Sequence, residues 1–254
     1  MNYFFLLTKE DLKSKLSIPK FKNSGEFCKN YELFGARIDD QKWKFYEPEC
    51  MESENFWKVE SDEKNIYDIF FLASKDQFHL QSNSNKLLDL NKFTNTFPDY
   101  RANLSVINEA GAISSYQSEY PYQMTQKKGS IYSSISTLGN FNALENGVFI
   151  RNIYDEPIQE EFDGYIYDYK SGKVLKKVTL LTNSCSFISF EHIKDNGSLI
   201  LFCKGYLGVP IYFSKSKAGN LSLEHTHPPH ENIQGPDRFK IVSMIKKDLD
   251  ERVS

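Results

Sequence analysis

Three of the five histidines in this 254-residue chain fall within one short segment, His225-Thr-His227-Pro-Pro-His230-Glu231. Residues two apart on a strand share a face, so His225 and His227 would both reach one ion. The two prolines favour a three-residue polyproline II turn that returns His230 to the same side. Imidazole and carboxylate ligands suit a divalent transition metal such as zinc, iron or manganese. We therefore predict a metal site formed by His225, His227, His230 and Glu231.

This cluster predicts a metal-dependent enzyme that acts on a small polar molecule, such as a carbohydrate derivative, with His230 and Glu231 as its catalytic groups. Two other interpretations of the same segment stay open. The imidazoles could hydrogen-bond to backbone carbonyls and fix a turn before the last helix, or they could bind an anion or a sugar. The alternative function is a non-catalytic β-sandwich module that binds a glycan or a protein.

The segment that begins at Gly219 resembles the first metal motif of the cupin family. Five residues separate this glycine from His225-Thr-His227, and three more precede Glu231, over about a twentieth of the chain. The resemblance implies a β-barrel metal site with His225, His227 and Glu231 as ligands, for oxidation, isomerisation or binding. The chain departs from the family after this motif, because only 23 residues follow Glu231 and most have a helical pattern, which leaves no strands for a second motif.

A second candidate site is a segment dense in aromatic and hydroxyl groups. Aromatic rings beside polar groups suit a sugar, whose faces are apolar and whose edges are polar. We predict substrate contacts there, with Arg101 as the nearest arginine for an anionic ligand; the other candidates are Tyr116, Glu119, Tyr120 and Tyr122. The alternative is a strand edge and turn whose tyrosine rings cover the core. Acidic residues at Asp155, Glu156, Glu160, Glu161 and Asp163 could form an acid and base pair, but their loop position favours a solvated surface.

The elements that would position these residues are mostly strands. Short aromatic-rich runs and later runs spaced about ten residues apart predict antiparallel strands, with Gly172 and Gly197 in hairpin turns. Thr8, Leu12 and Leu16 predict a short helix before Pro19, and an apolar stripe from Phe239 to Val253 predicts a C-terminal amphipathic helix. The predicted fold is mainly β, an antiparallel sandwich or barrel-like core with these two helices. A connector near residues 87–100 divides an N-terminal α+β region, 1–98, from an antiparallel β domain, 99–254, unless the two are continuous.

Composition limits the partners. The formal net charge is −3, and neither sign forms a long block, so we expect no nucleic-acid partner. The four cysteines lack CxxC spacing and the start lacks a secretory pattern, which predicts reduced thiols and a cytoplasmic location. The apolar runs have only strand length, so we expect no membrane span. The expected partner is a small polar molecule or a glycan.

Overall fold

The computed structural model describes residues 2–21, 30–90, 102–225 and 235–254. Over these ranges the chain is mainly β, and its strands pair antiparallel. The strands are β1 (Asn2–Phe5), β2 (Leu12–Pro19), β3 (Glu32–Asp39), β4 (Lys42–Tyr46), β5 (Met51–Glu52), β6 (Phe56–Glu60), β7 (Ile69–Ala73), β8 (Asn103–Asn108), β9 (Ile113–Gln117), β10 (Tyr120–Pro121), β11 (Lys128–Ser134), β12 (Glu145–Arg151), β13 (Glu161–Asp168), β14 (Lys173–Leu181), β15 (Cys185–Ser189), β16 (Leu199–Tyr206), β17 (Val209–Lys215) and β18 (Leu221–Glu224). The helices are α1 (Lys75–Ser82), α2 (Tyr122–Thr125), α3 (Ile135–Leu138) and α4 (Arg238–Val253).

The chain divides into two compact units. The first comprises Met1–Gln126, Ile153–Gln159 and Asn183–Cys185, and the second comprises Lys127–Asn152, Glu160–Thr182 and Ser186–Ser254. The first unit contains sheets of strand order β10-β1-β7-β3-β4 and β5-β6-β2-β8-β9, and the second contains β11-β16-β13-β14 and β15-β12-β17-β18. The predicted boundary between residues 98 and 99 lies outside the described residues. The division into regions 1–98 and 99–254 therefore stays a prediction.

Four small antiparallel sheets replace the two facing sheets of the predicted sandwich. Sheets of four or five strands are the size of propeller blades, so the sheet inventory resembles that of a four-bladed propeller. Each described sheet also keeps two edge strands and so does not close into a barrel. The predictions of a mainly β fold and of a C-terminal helix are confirmed, but the prediction of a sandwich was wrong. Strand spacing predicts hairpins between neighbours in sequence, whereas partners such as β1 and β7 are far apart in the chain.

The predicted N-terminal helix is instead strand β2. Leu12 and Leu16 lie four residues apart, a spacing that fits both one face of a helix and one face of a strand. The alternating burial of Leu12, Ser14, Leu16 and Ile18 identifies the strand, because these side chains all lie on the buried face. The Ser14 hydroxyl donates a hydrogen bond to the carbonyl of Leu7, which satisfies this buried polar group.

Aromatic side chains form the centre of the first unit. Strands β1 and β7 are buried along their whole length, which is typical of strands covered on both faces. The Phe71 ring meets the ring of Tyr3 edge-on at 5.9 Å, and the Phe34 ring stacks on Phe78 of α1 at 4.0 Å. Ser74 begins α1 with a capping box that includes the Gln77 side chain. These packed rings stabilise the sheet to which β3 and β4 belong.

Helix α4 packs on one sheet of the second unit. Leu249 is fully buried against Tyr165, Tyr167, Ile200 and Phe202, and the predicted apolar stripe therefore covers β13 and β16. Phe239, at the start of the stripe, is 60% exposed. No helix in the described ranges combines the length and apolar character that crossing a membrane requires.

A buried carboxylate fixes the turn between β13 and β14. Asp168 accepts hydrogen bonds from the hydroxyls of Ser171 at 2.5 Å and Ser198 at 2.6 Å, and from the Asn196 amide at 2.8 Å. These donors stabilise the charged form and hold the pKa of Asp168 far below its usual range. Gly172 and Gly197 adopt positive φ angles of 69° and 80° in the adjoining turns. The predicted hairpin forms at Gly172, between β13 and β14, but not at Gly197, because β15 and β16 belong to different sheets.

Candidate functional site

The predicted metal-dependent enzyme is not supported where the chain can be inspected. Within residues 2–21, 30–90, 102–225 and 235–254, no group of three or more histidine, cysteine, aspartate or glutamate side chains is placed to hold a metal ion. His225 directly follows β18, an edge strand of its sheet, and belongs to no such group. The prediction of a metal-dependent enzyme was therefore wrong. His227, His230 and Glu231 lie outside the described residues, so the roles assigned to these side chains stay predictions, as does the metal itself.

The predicted substrate-binding residues lie along the first unit, and Arg101 lies outside the described residues. Tyr116 lies in edge strand β9 opposite Leu104 and is half-buried. Tyr120 lies in β10 opposite Tyr3 and is fully buried. Tyr122 begins α2, where its hydroxyl accepts a hydrogen bond from Gln126 at 2.7 Å. The half-buried Glu119 precedes β10, and the role of these residues in binding a sugar stays a prediction.

Among the acidic loop residues, Glu160 and Glu161 are exposed as predicted, whereas Asp155 is buried. Asp155 is only 7% exposed, and its burial raises the pKa of its carboxyl group, with the neighbouring Glu156 adding to the rise and Lys86 opposing it. Its backbone carbonyl accepts hydrogen bonds from the Trp43 indole at 2.7 Å and from the Leu87 amide at 3.0 Å. This loop therefore anchors neighbouring segments of the first unit.

The structure reveals a cleft that the sequence did not indicate. It has a volume of about 700 Å³ and lies in the first unit, where the chain passes from edge strand β4 to edge strand β5. One wall is the β4–β5 connection, residues 47–50, and the other is β6 with the turn that follows it. Asp62 shapes this turn by accepting hydrogen bonds from the backbone amides of Lys64 at 2.7 Å and Asn65 at 2.9 Å.

A buried ion pair holds an arginine at the cleft. Arg37 of β3 donates from Nη2 to Oδ2 of Asp68 at 2.7 Å, and the Tyr46 hydroxyl donates to the same oxygen. Asp68 is 2% exposed, whereas 33% of the Arg37 side chain is exposed. The guanidinium also lies over the Tyr46 ring, 4.5 Å from its centroid. Arg37 is thus a fixed cation at the cleft.

The local sequence makes room for this arrangement. Gly35 lies directly opposite Tyr46 in the β3–β4 pair, and a Cβ atom at Gly35 would lie 2.5 Å from Cζ of the ring. Glycine therefore allows the tyrosine ring to lie across the strand and beneath Arg37. Burial alone would lower the pKa of Arg37, but hydrogen bonding with Tyr46 and the charge of Asp68 raise it. Burial, reinforced by the bond to Asp68, raises the pKa of Tyr46.

The cleft also carries charges of both signs that no neighbour neutralises. Among the described residues, Lys58 and Lys64 form no ion pair, and the same holds for Glu47 and Glu49. Glu60 differs, because its bond to Lys15 at 2.7 Å lowers the pKa of its carboxyl group. Two lysines and two glutamates therefore remain available to a ligand.

The cysteine that lines the cleft is not activated as a nucleophile. Burial, with a contribution from Glu52, raises the pKa of the Cys50 thiol, which keeps it protonated and a poor nucleophile. The described residues that line the cleft include no histidine. The arrangement suits reversible binding of charged groups.

No protein-family model, curated protein or solved structure matches the chain. The functional argument therefore depends on the cleft's own geometry. Sequence reasoning missed its residues because Arg37 and Asp68 are 31 positions apart and no local pattern joins them. The sequence signal was the run Glu47-Pro-Glu49-Cys50 between two aromatic strands, a turn segment with two glutamates on either side of a proline.

Proposed function

We propose that this protein is a non-catalytic binding protein whose cleft accepts a small zwitterionic molecule of the short-peptide class. The observation that supports this proposal is a cleft of about 700 Å³ that holds a fixed arginine together with lysines and glutamates that form no ion pair with any described residue. Pockets for small ligands usually measure roughly 300–1,000 Å³. The size of this cleft suits a few linked amino acids. The cytoplasmic location inferred from the sequence remains a prediction.

The positive and negative residues of the cleft would bind opposite ends of the ligand. Lys58, on β6, is half-buried and lines the same cleft as Arg37, so these two cations would receive the carboxylate. Glu47 and Glu49 lie on the opposite connection and would receive the ammonium group. A partly buried cation is already partly desolvated before the ligand arrives, which reduces the cost of binding.

Isothermal titration calorimetry with trialanine tests this proposal, and end-blocked forms of the peptide test each charge. We expect N-acetyl-trialanine, which lacks the ammonium group, and trialanine amide, which lacks the carboxylate, each to bind about fivefold more weakly. This corresponds to the loss of one charged hydrogen bond of about 1 kcal/mol in a partly exposed site.

Matched variants assign the two ends of the peptide. Lys58→Met should weaken trialanine and its acetylated form about fivefold but leave the amide unchanged, because the amide has no carboxylate to lose. Glu49→Gln should weaken trialanine but not the acetylated form. Lys247→Met, on an exposed position of α4 in the second unit, is the control. Absence of binding by all three peptides, or binding that ignores both blocking groups, would refute the proposal.

A further inference from the structure

Strand β14 presents a long open edge in the second unit. It is the outer strand of the sheet β11-β16-β13-β14 and pairs on one side with β13. Within the described ranges no strand pairs with its other side. Alternate residues of such an edge direct their backbone amides and carbonyls outward, where a further strand can bind them.

The usable part of this edge is six residues long. Ile166 lies opposite Lys176 and Tyr167 lies opposite Val174, so Leu175 is an extra residue in a bulge. From Lys176 to Leu181 the ladder is uninterrupted, which gives about 20 Å of regular strand. Large apolar side chains are exposed at both ends of β14: Leu175 is 45% and Leu181 is 39% exposed.

The charges along β14 select its partner. The strand contains three lysines, at 173, 176 and 177, and no acidic residue. Lys177 pairs with Asp163 at 3.0 Å and Lys176 donates to the backbone carbonyl of Ser189 at 2.8 Å, whereas Lys173 forms no ion pair with any described residue. An incoming strand that carries carboxylates would face this positive edge. Two copies of β14 paired antiparallel would instead offer these lysines no carboxylate, because the strand contains no acidic residue.

We propose that β14 is a docking edge for an extended acidic segment of a partner protein, which adds to the sheet as a fifth strand. Backbone hydrogen bonds supply the affinity in this mode of recognition, and side chains on alternate positions supply the selectivity. Alternating acidic and apolar residues in the partner would match the lysines and the exposed leucines. This inference is independent of the cleft, which lies in the first unit.

The test uses an end-blocked, fluorescein-labelled hexapeptide of alternating glutamate and valine, with a lysine and valine hexapeptide for comparison. Fluorescence anisotropy should show binding of the acidic peptide only. Hydrogen exchange followed by mass spectrometry should show new protection confined to Lys176–Leu181. Lys173→Glu/Lys176→Glu should weaken binding about tenfold, since the two reversals replace electrostatic attraction of the acidic peptide with repulsion.

Two control variants separate this edge from other positive surfaces. Lys13→Glu/Lys42→Glu removes the same charge from exposed positions of β2 and β4 and should leave binding unchanged. Lys58→Met should also leave it unchanged, which separates this site from the cleft. Circular dichroism confirms that each variant folds. Equal binding of both peptides, protection outside β14, or a β14-dependent dimer in sedimentation experiments would overturn the proposal.

Discussion

Replacing Asp68 with asparagine should destabilise the fold measurably, although the two side chains have nearly the same shape. Asp68 accepts charged hydrogen bonds from Arg37 and Tyr46 while only 2% exposed. Hydrogen bonds to charged groups contribute about 1.5–3 kcal/mol each, and neutral ones about 0.5–1.5 kcal/mol. An asparagine oxygen can accept both bonds in the neutral form, so each bond loses about 1 kcal/mol. The expected loss for Asp68→Asn is therefore about 2 kcal/mol.

Thermal unfolding measures this loss, and a neighbouring ion pair supplies the control. For a chain of this size, about 2 kcal/mol lowers the midpoint by roughly 4–8 °C. Asp39→Asn removes the pair with Lys44 at 3.2 Å, in which both side chains are more than 60% exposed. Exposed pairs contribute about 0–1 kcal/mol, so its midpoint should change little. An unchanged midpoint for Asp68→Asn, or an equal fall for Asp39→Asn, would show that burial does not strengthen the Asp68 interactions.

Three further predictions concern the second unit. Leu249→Ala should lower the free energy of unfolding, measured by urea denaturation, by about 3 kcal/mol because the side chain is fully buried. Met244, on the same helix, is 63% exposed, and Met244→Ala should lower it by under about 0.5 kcal/mol. Gly147→Ala should lower the free energy of unfolding by about 1–3 kcal/mol because its Cβ would lie 2.6 Å from a backbone carbonyl of the adjacent strand. Gly129→Ala should lower it less, because its Cβ would meet only a movable leucine side chain. Asp168→Asn should lower stability by a constant amount above about pH 5, and the difference should disappear in strong acid. The folded pKa of Asp168 is depressed, so its stabilisation begins to fall below the unfolded pKa of about 4 and is lost as pH falls through the folded pKa; a difference that stays constant between pH 5 and pH 2 would contradict this account.

Local sequence signals were sufficient for most strands and for the last helix. The run from Val174 to Leu180 lies within β14, and the stripe of Val242, Ile245 and Leu249 covers the sheet as predicted. These patterns depend on residues that are close in sequence, and alternation of burial follows directly from backbone geometry. The hairpin at Gly172 was predictable for the same reason, whereas the hairpin predicted at Gly197 was wrong because β15 and β16 belong to different sheets.

The remaining features depend on contacts that sequence periodicity does not encode. The spacing of Leu12 and Leu16 fits both a helix and a strand, and only the position of β2 between β6 and β8 decides between them. Asp155 is a charged residue of a type usually found at the surface, yet it is buried in a loop that accepts hydrogen bonds from Trp43 and Leu87. The cleft likewise depends on β4 and β5 belonging to different sheets of one unit.

Asp68→Asn also tests how Arg37 would bind a ligand, because the substitution has two opposing effects on the affinity. It removes a negative charge and so increases the positive field on a bound carboxylate, by ~0.6 kcal/mol for charges about 7 Å apart in water, and less in salt. It also weakens the hydrogen bond that positions the guanidinium, so Arg37 aligns less well with the ligand and its directed bond of about 1.5–3 kcal/mol is weakened. The second effect is larger, so trialanine should bind about fivefold more weakly. Salt screens the electrostatic field but does not change the position of the guanidinium, so this weakening should persist at 0.5 M salt. Tighter binding that is abolished by salt would show that the field dominates.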